Sequence, residues 1–161
     1  MAAIEARPLP FAHPAVLVAT LCGVGFAPKA PGTAGSLVAL PFAWLVARAA
    51  GASGLLVAAA LIVAVGWWAA AIVTRAYGKD PQIVVVDEAA GQFLALAAAP
   101  LDPWFYAAGF LLFRIFDVTK PFPAGWADRR VPGGFGVMLD DIFAALYAAI
   151  LLLIGRWLLG R

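Results

Sequence analysis

Charge is scarce in this sequence. Of 161 residues, 11 are Lys or Arg and 9 are Asp or Glu, 12% in all, where an ordinary soluble domain carries about 25%. So small a supply can hardly cover a water-facing surface. With 65% hydrophobic residues and a mean hydropathy of +0.96, the bilayer is the natural solvent. The formal net charge of +2 is too small to suggest nucleic acid as a partner. Cysteine is nearly absent. The one present, Cys22, excludes an internal disulfide framework and reads as a small buried core residue. It also excludes a cysteine-nucleophile phosphatase loop, because Pro28 stands where the closing arginine would be six residues on. His13 is the one histidine, so chemistry that pairs a histidine nucleophile with a second histidine has no material. The Asp-x-Asp pair of aspartyl-phosphate enzymes is missing too, since DVT (117–119) lacks the second acid. No repeat, linker or low-complexity tail divides residues 1–161, which read as a single integral-membrane domain. The stretch MAAIEARPLPFAHPAVLVAT does not resemble a cleavable signal peptide.

Long apolar runs are what the chain has. A bilayer-spanning helix needs about 20 of them in a row. Candidate spans cover about 34–50, with Pro41 a tolerated kink, and 55–76, joined by a tight turn at GASG (51–54). A third runs from Asp80-Pro81, read as N-cap and first helical residue, to Pro100, and places Asp87 and Glu88 two turns inside it. A fourth runs from about 103 to the Lys120-Pro121 break. After the Pro/Gly-rich loop 121–136, a fifth covers about 138–159, opened by Asp140 and Asp141. Residues 14–22 suit a short extra helix or a re-entrant segment. The expected fold is therefore all-α: a polytopic membrane bundle of five main helices plus that N-terminal piece.

The few charges converge. Two short hairpins occupy one face, so segments 20–33, 76–88 and 114–141 share the other. That face carries Lys29, Arg75, Lys79, Arg114, Lys120, Arg129 and Arg130. The positive-inside bias assigns it to the cytoplasm. Five carboxylates lie on or just inside helix ends there: Asp87, Glu88, Asp117, Asp140 and Asp141. Ionisable groups at membrane depth are costly and usually pair or mark function. Acids from three helices repel unless something neutralises them, and hard oxygen ligands without a Cys/His cluster suit Mg²⁺. The plainer alternative is that Asp140 or Asp141 caps the fifth helix and that Asp117 pairs with Arg114 or Lys120. Lys29, Arg114, Lys120 and Arg129 are the candidate phosphate-binding cations, joined by the Thr33 and Ser36 hydroxyls of APGTAGS (30–36), where a Gly-rich helix start would favour an anion. Contacts to anionic headgroups, or a role in setting topology, would explain Arg129 and Arg130 equally well. Metal-type acids and phosphate-type bases beside lipid point to phosphoryl chemistry on a lipid headgroup.

Four blocks carry a resemblance: GVGFAPKAPGTAGSL (23–37), VDEAAGQF (86–93), FRIFDVTKPFP (113–123) and DRRVPGGFGVMLDDIFA (128–144). In this order and spacing the chain resembles the bacterial phosphatidylglycerophosphatase A proteins. The resemblance implies Mg²⁺-dependent hydrolysis of phosphatidylglycerophosphate to phosphatidylglycerol and inorganic phosphate. It implies a multi-pass protein of the bacterial cytoplasmic membrane whose active site faces the cytoplasm, among membrane lipids. Its acidic motifs fall on Asp87, Glu88, Asp117, Asp140 and Asp141, and the KP motif on Lys120. A homo-oligomer is compatible with the sequence but not specified by it. Two rivals fit less well. A small ion-coupled transporter would need a polar route to the far face, where only Asp102 stands at a turn. A CDP-alcohol transferase would need a DG-x-x-AR run, which is absent.

Overall fold

The computed structural model describes residues 9–78 and 81–160. The Asp80 cap and Lys79 lie outside the described residues. Among these, all regular structure is helical: α1 (Pro14–Ala19), a 3-10 turn (Val24–Phe26), α2 (Pro31–Tyr77), α3 (Val86–Leu96), α4 (Pro103–Thr119), α5 (Ala124–Arg130) and α6 (Gly133–Leu158). The all-helical expectation holds, and α1 is the short N-terminal helix. The long α2 is broken once, at Gly51 (φ 62°, ψ −158°). The turn expected over 51–54 is thus a break at one residue. Its two arms share a core: Ala39 and Ala43 of the first pack with Leu55 and Ala59 of the second, and with Phe93, Leu96 and Tyr106.

Helix boundaries differ from the expectation in three places. The third helix begins at Val86, not at Pro81. The run Ile83-Val84-Val85-Val86 is β-branched and loses side-chain freedom in a helix. Instead the chain arrives through a turn, in which Val84 N–H donates to the Pro81 carbonyl at 2.9 Å, and Val85 N–H donates to the Ala19 carbonyl at 2.8 Å. Asp87 and Glu88 therefore stand in the first turn of α3. At 11 residues, or about 16 Å, α3 cannot cross a bilayer. Nine of those residues are buried, and α3 contributes to all three core clusters. It is the hub of the bundle rather than a lipid-facing span. Second, the Pro/Gly-rich loop contains α5. Third, α6 begins at Gly133, so Asp140 and Asp141 lie two turns inside it and cap nothing. Glycine is a poor helix former, but a Cβ at Gly134 would run into the backbone of Ala70 and Ala71. Close packing against α2 outweighs propensity there.

Among the described residues two helices, α2 and α6, are long and apolar enough to cross a membrane. Their outer faces expose large apolar side chains, among them Leu45, Val57, Leu61, Trp67, Leu153 and Trp157, a surface suited to lipid rather than water. Cys22 is exposed, contrary to the core reading. It sits in the tight turn after α1, where Leu21 and Cys22 both take positive φ.

Candidate active site

One end of the bundle holds a cleft of about 390 Å³. Its charged walls are Asp87 and Glu88 of α3, Arg114 and Asp117 of α4, Lys120 just past it, and Asp140 and Asp141 of α6; the start of α2 closes one side through Ala30, Pro31 and Gly32. All five acids expected at the site, with Arg114 and Lys120, are thus brought together. Asp87, Asp140 and Asp141 are buried. Gly91 makes the convergence of α3 and α6 feasible. A Cβ there would strike the Phe113 ring and come within 3.2 Å of the Asp141 carbonyl oxygen, so only glycine lets α6 come this close.

The acids divide into two sets. In the first, Arg114 Nη1 donates to Asp117 Oδ2, and Lys120 Nζ donates to Asp140 Oδ2 and, at 2.8 Å, to Asp128 Oδ1. Asp117 is paired with Arg114, as the plainer sequence reading allowed. Lys120 sits at the C-cap of α4 in the left-handed region (φ 45°). Burial alone would lower its pKa, but the hydrogen bonds to Asp128 and Asp140 prevail and hold it above the ordinary lysine range. Asp128 is a member of the cluster that acid counting missed. Its one sequence signal was its place in the DRR block, eight residues after Lys120.

The second set has no cation at hydrogen-bond distance among the described residues. One carboxylate oxygen from each of Asp87, Glu88 and Asp141 lies within 4.8 Å of the others. Asp87 Oδ1, Glu88 Oε2 and Asp141 Oδ2 are buried and have no hydrogen-bond partner in the protein. The nearest positive charge is Arg114 Nη1, 3.7 Å from Glu88 Oε1. Buried carboxylates without partners are costly. A hard divalent cation with oxygen preference fits this donor set. Ser36 Oγ and both amide atoms of Gln92 are also buried without partners, as are Asp140 Oδ1 and Arg114 Nε of the first set. Gln92, one turn beyond Glu88 on the same helix, had no signal in the sequence.

The remaining candidates stand elsewhere. Lys29 and Arg129 are exposed and Thr33 is half-buried; none of the three lines the cleft, nor does the fully buried Ser36. The N-terminus of α2 reaches the cleft by its first residues, not by its hydroxyls.

A helical bundle with lipid-suited flanks, whose buried acids and fixed cations open at one end, is the layout of a membrane-lipid phosphatase. The comparisons give this class a family. Residues 17–156 match the family described as Phosphatidylglycerophosphatase A. Phosphatidylglycerophosphatase A of Escherichia coli is 40% identical over 160 residues, covering 94% of this chain and 90% of the relative. That of Haemophilus influenzae is 37% identical over 150 residues, covering 91% and 92%. A Bacteroides thetaiotaomicron protein named "Putative phosphatidylinositol-3-phosphatase" is 40% identical over 161 residues, covering 90% and 95%. No solved structure matches. The chain belongs to the phosphatidylglycerophosphatase A family and is an enzyme of the phosphatase class.

Proposed function

We propose that this enzyme hydrolyses phosphatidylglycerophosphate, yielding phosphatidylglycerol and inorganic phosphate, with Mg²⁺ at Asp87, Glu88 and Asp141. The observation that carries the reading is the set of three clustered carboxylates, each with a buried oxygen that has no hydrogen-bond partner, in the cleft that Arg114 and Lys120 also line, in a chain of this family. When bound, Mg²⁺ supplies Lewis-acid activation of the phosphate and acidifies a water. The chain's own residues do the rest. Lys120 and Arg114 turn N–H donors toward the phosphate oxygens and stabilise the charge that develops there. They can do so because each is already fixed by a carboxylate rather than free in water. A cleft carboxylate accepts the proton of the attacking water. The apolar faces of α2 and α6 keep the enzyme in the bilayer with the acyl chains of its substrate, as a multi-pass protein of the bacterial inner membrane. The Lys/Arg-rich end that holds the cleft faces the cytoplasm by the positive-inside bias.

The test is phosphate release from phosphatidylglycerophosphate in detergent micelles, with Mg²⁺ and with EDTA, for wild type and Asp141→Asn. Release that needs the cation and collapses in the variant is expected. No release by a folded wild type would overturn the substrate assignment. Because one relative is named for phosphatidylinositol 3-phosphate, that lipid belongs in the same assay, and its preferred hydrolysis would move the assignment to it.

A further inference from the structure

A second cavity, of about 310 Å³, opens beside the carboxylate cleft, within the range of small-molecule sites. Thr74 and Arg75 at the end of α2, Asp128 of α5, and Val131 and Pro132 of the turn before α6 line it. Val137 lines both spaces. Asp128 lines this one, while its partner Lys120 lines the other. The Lys120–Asp128 ion pair is therefore the partition between them.

The two charged side chains of this cavity have capacity to spare. Asp128 Oδ1 accepts from Lys120, which leaves Oδ2 to accept a hydrogen bond from a ligand. Arg75 is exposed, and among the described residues it makes no ion pair. It lies two residues before the end of the 47-residue apolar helix α2, the level at which hydrocarbon gives way to headgroups. The lipid's phosphodiester lies at that level too.

We propose that this cavity is a headgroup subsite that takes the glycerol and the phosphodiester of the substrate, Asp128 accepting the free glycerol hydroxyl and Arg75 facing the diester anion. This rests on the substrate reading above: with the terminal phosphate among the carboxylates, the remainder of the headgroup passes the Lys120–Asp128 partition. One acceptor and one cation match one hydroxyl and one anion. The subsite selects the lipid, whereas the cleft performs the hydrolysis.

The experiment uses the full-length protein in detergent micelles with phosphatidylglycerophosphate as substrate. Short-chain phosphatidylglycerol and inorganic phosphate serve as separate inhibitors, since the first carries the diester and glycerol and the second only the terminal phosphate. Arg75→Gln is expected to raise KM about tenfold, the scale of one charge-assisted hydrogen bond, with kcat within about twofold. It should weaken inhibition by phosphatidylglycerol by the same factor and leave inhibition by inorganic phosphate unchanged. Arg75→Lys, which keeps the charge, should recover most of both losses. Inhibition by the two compounds that moves together, or does not move, overturns the subsite. A wild type that turns over the lipid without inhibition by phosphatidylglycerol also overturns it. A wild type that releases no phosphate from the lipid fails one step earlier, at the substrate reading itself.

Discussion

Asp140 and Asp141 are neighbours in sequence and belong to opposite halves of the cleft. Asp140 accepts from Lys120, whereas Asp141 faces Asp87 and Glu88, and its Oδ2 has no partner. A turn of about 100° around one helix separates a carboxylate the protein has neutralised from one it has not. The open half is the more deeply buried, since Lys120 and Asp128 of the paired half are 30% and 31% exposed at the side chain, so its charges have the greater need of partners. The difference is one of charge pairing. The Lys120 and Arg114 half holds its ion pairs within the chain, although Asp140 Oδ1 and Arg114 Nε keep no hydrogen-bond partner. The Asp87, Glu88 and Asp141 half has only Arg114 at 3.7 Å from Glu88 and needs charge from outside it. A protein that only needed stability would replace the second set with apolar side chains.

The largest expected effect breaks the open half. Asp141→Asn or Asp87→Asn should lower phosphate release by about 10³-fold, the scale of losing a main electrostatic contributor to catalysis. Thermal unfolding without divalent cation should be unchanged or higher, because one of three mutually repelling acids has been neutralised. A loss of stability as large as the loss of activity would place these residues among ordinary packing groups.

Breaking the paired half should cost both properties. Lys120→Met is expected to lower activity about 10²-fold and stability by about 1–3 kcal/mol, since Asp140, its side chain 7% exposed, loses its cation. Adding Asp140→Asn in the same chain should recover much of the stability and none of the activity. Chemical denaturation beside the phosphate assay separates the two. Recovery of both would mean that Lys120 acts only as a partner for Asp140.

Between the halves stands Gly91. Gly91→Ala should push Phe113 and α6 outward, costing about 1–3 kcal/mol by overpacking, and should lower activity about tenfold by loosening the Asp141 position. Activity unchanged at reduced stability would show that the carboxylates tolerate a wider spacing than the cleft presents.

The paired half also has a pH signature. The pKa of Lys120 is raised by its carboxylate partners, so its contribution to stability is fully present below the unfolded lysine value of about 10.4. That contribution is lost as pH climbs through the higher folded value. The stability gap between wild type and Lys120→Met should therefore not shrink between about pH 7 and pH 9, and close only above about 10.4. A gap already closing by pH 9 would contradict the charge-paired lysine.

Much of the site was legible because charge is so rare here. Asp87, Glu88, Arg114, Asp117, Lys120, Asp140 and Asp141 stand out against an apolar background, and Pro and Gly marked the ends of α4 and the break in α2. What the sequence could not disclose is rotation and register. Nothing in Asp140-Asp141 says which acid turns to Lys120. The β-branched approach to α3 reads as helix because Asp80-Pro81 looks like an N-cap and first helical residue, and the start of α6 reads as loop because it is rich in proline and glycine. In both cases contacts with a distant segment, Ala19 for Val85 and Ala70 for Gly134, decided the outcome.

Lys29 and Arg129 give the smallest expected effect and the sharpest limit on the comparison. Both were read as phosphate-binding cations, and both are exposed side chains outside the cleft. Net positive charge near an anionic substrate can speed its arrival without any contact, but such steering is screened over about 8–10 Å at physiological salt. If catalysis depends on cations fixed against buried carboxylates, Lys29→Ala and Arg129→Ala should each stay within about twofold of wild type at 0.15 M salt, as exposed substitutions usually do. Any deficit at low salt should fade as salt is added. A loss approaching that of Lys120→Met, and insensitive to salt, would mean that the loop bearing the residue closes onto the substrate. The phosphate site would then extend beyond the cations fixed in the cleft.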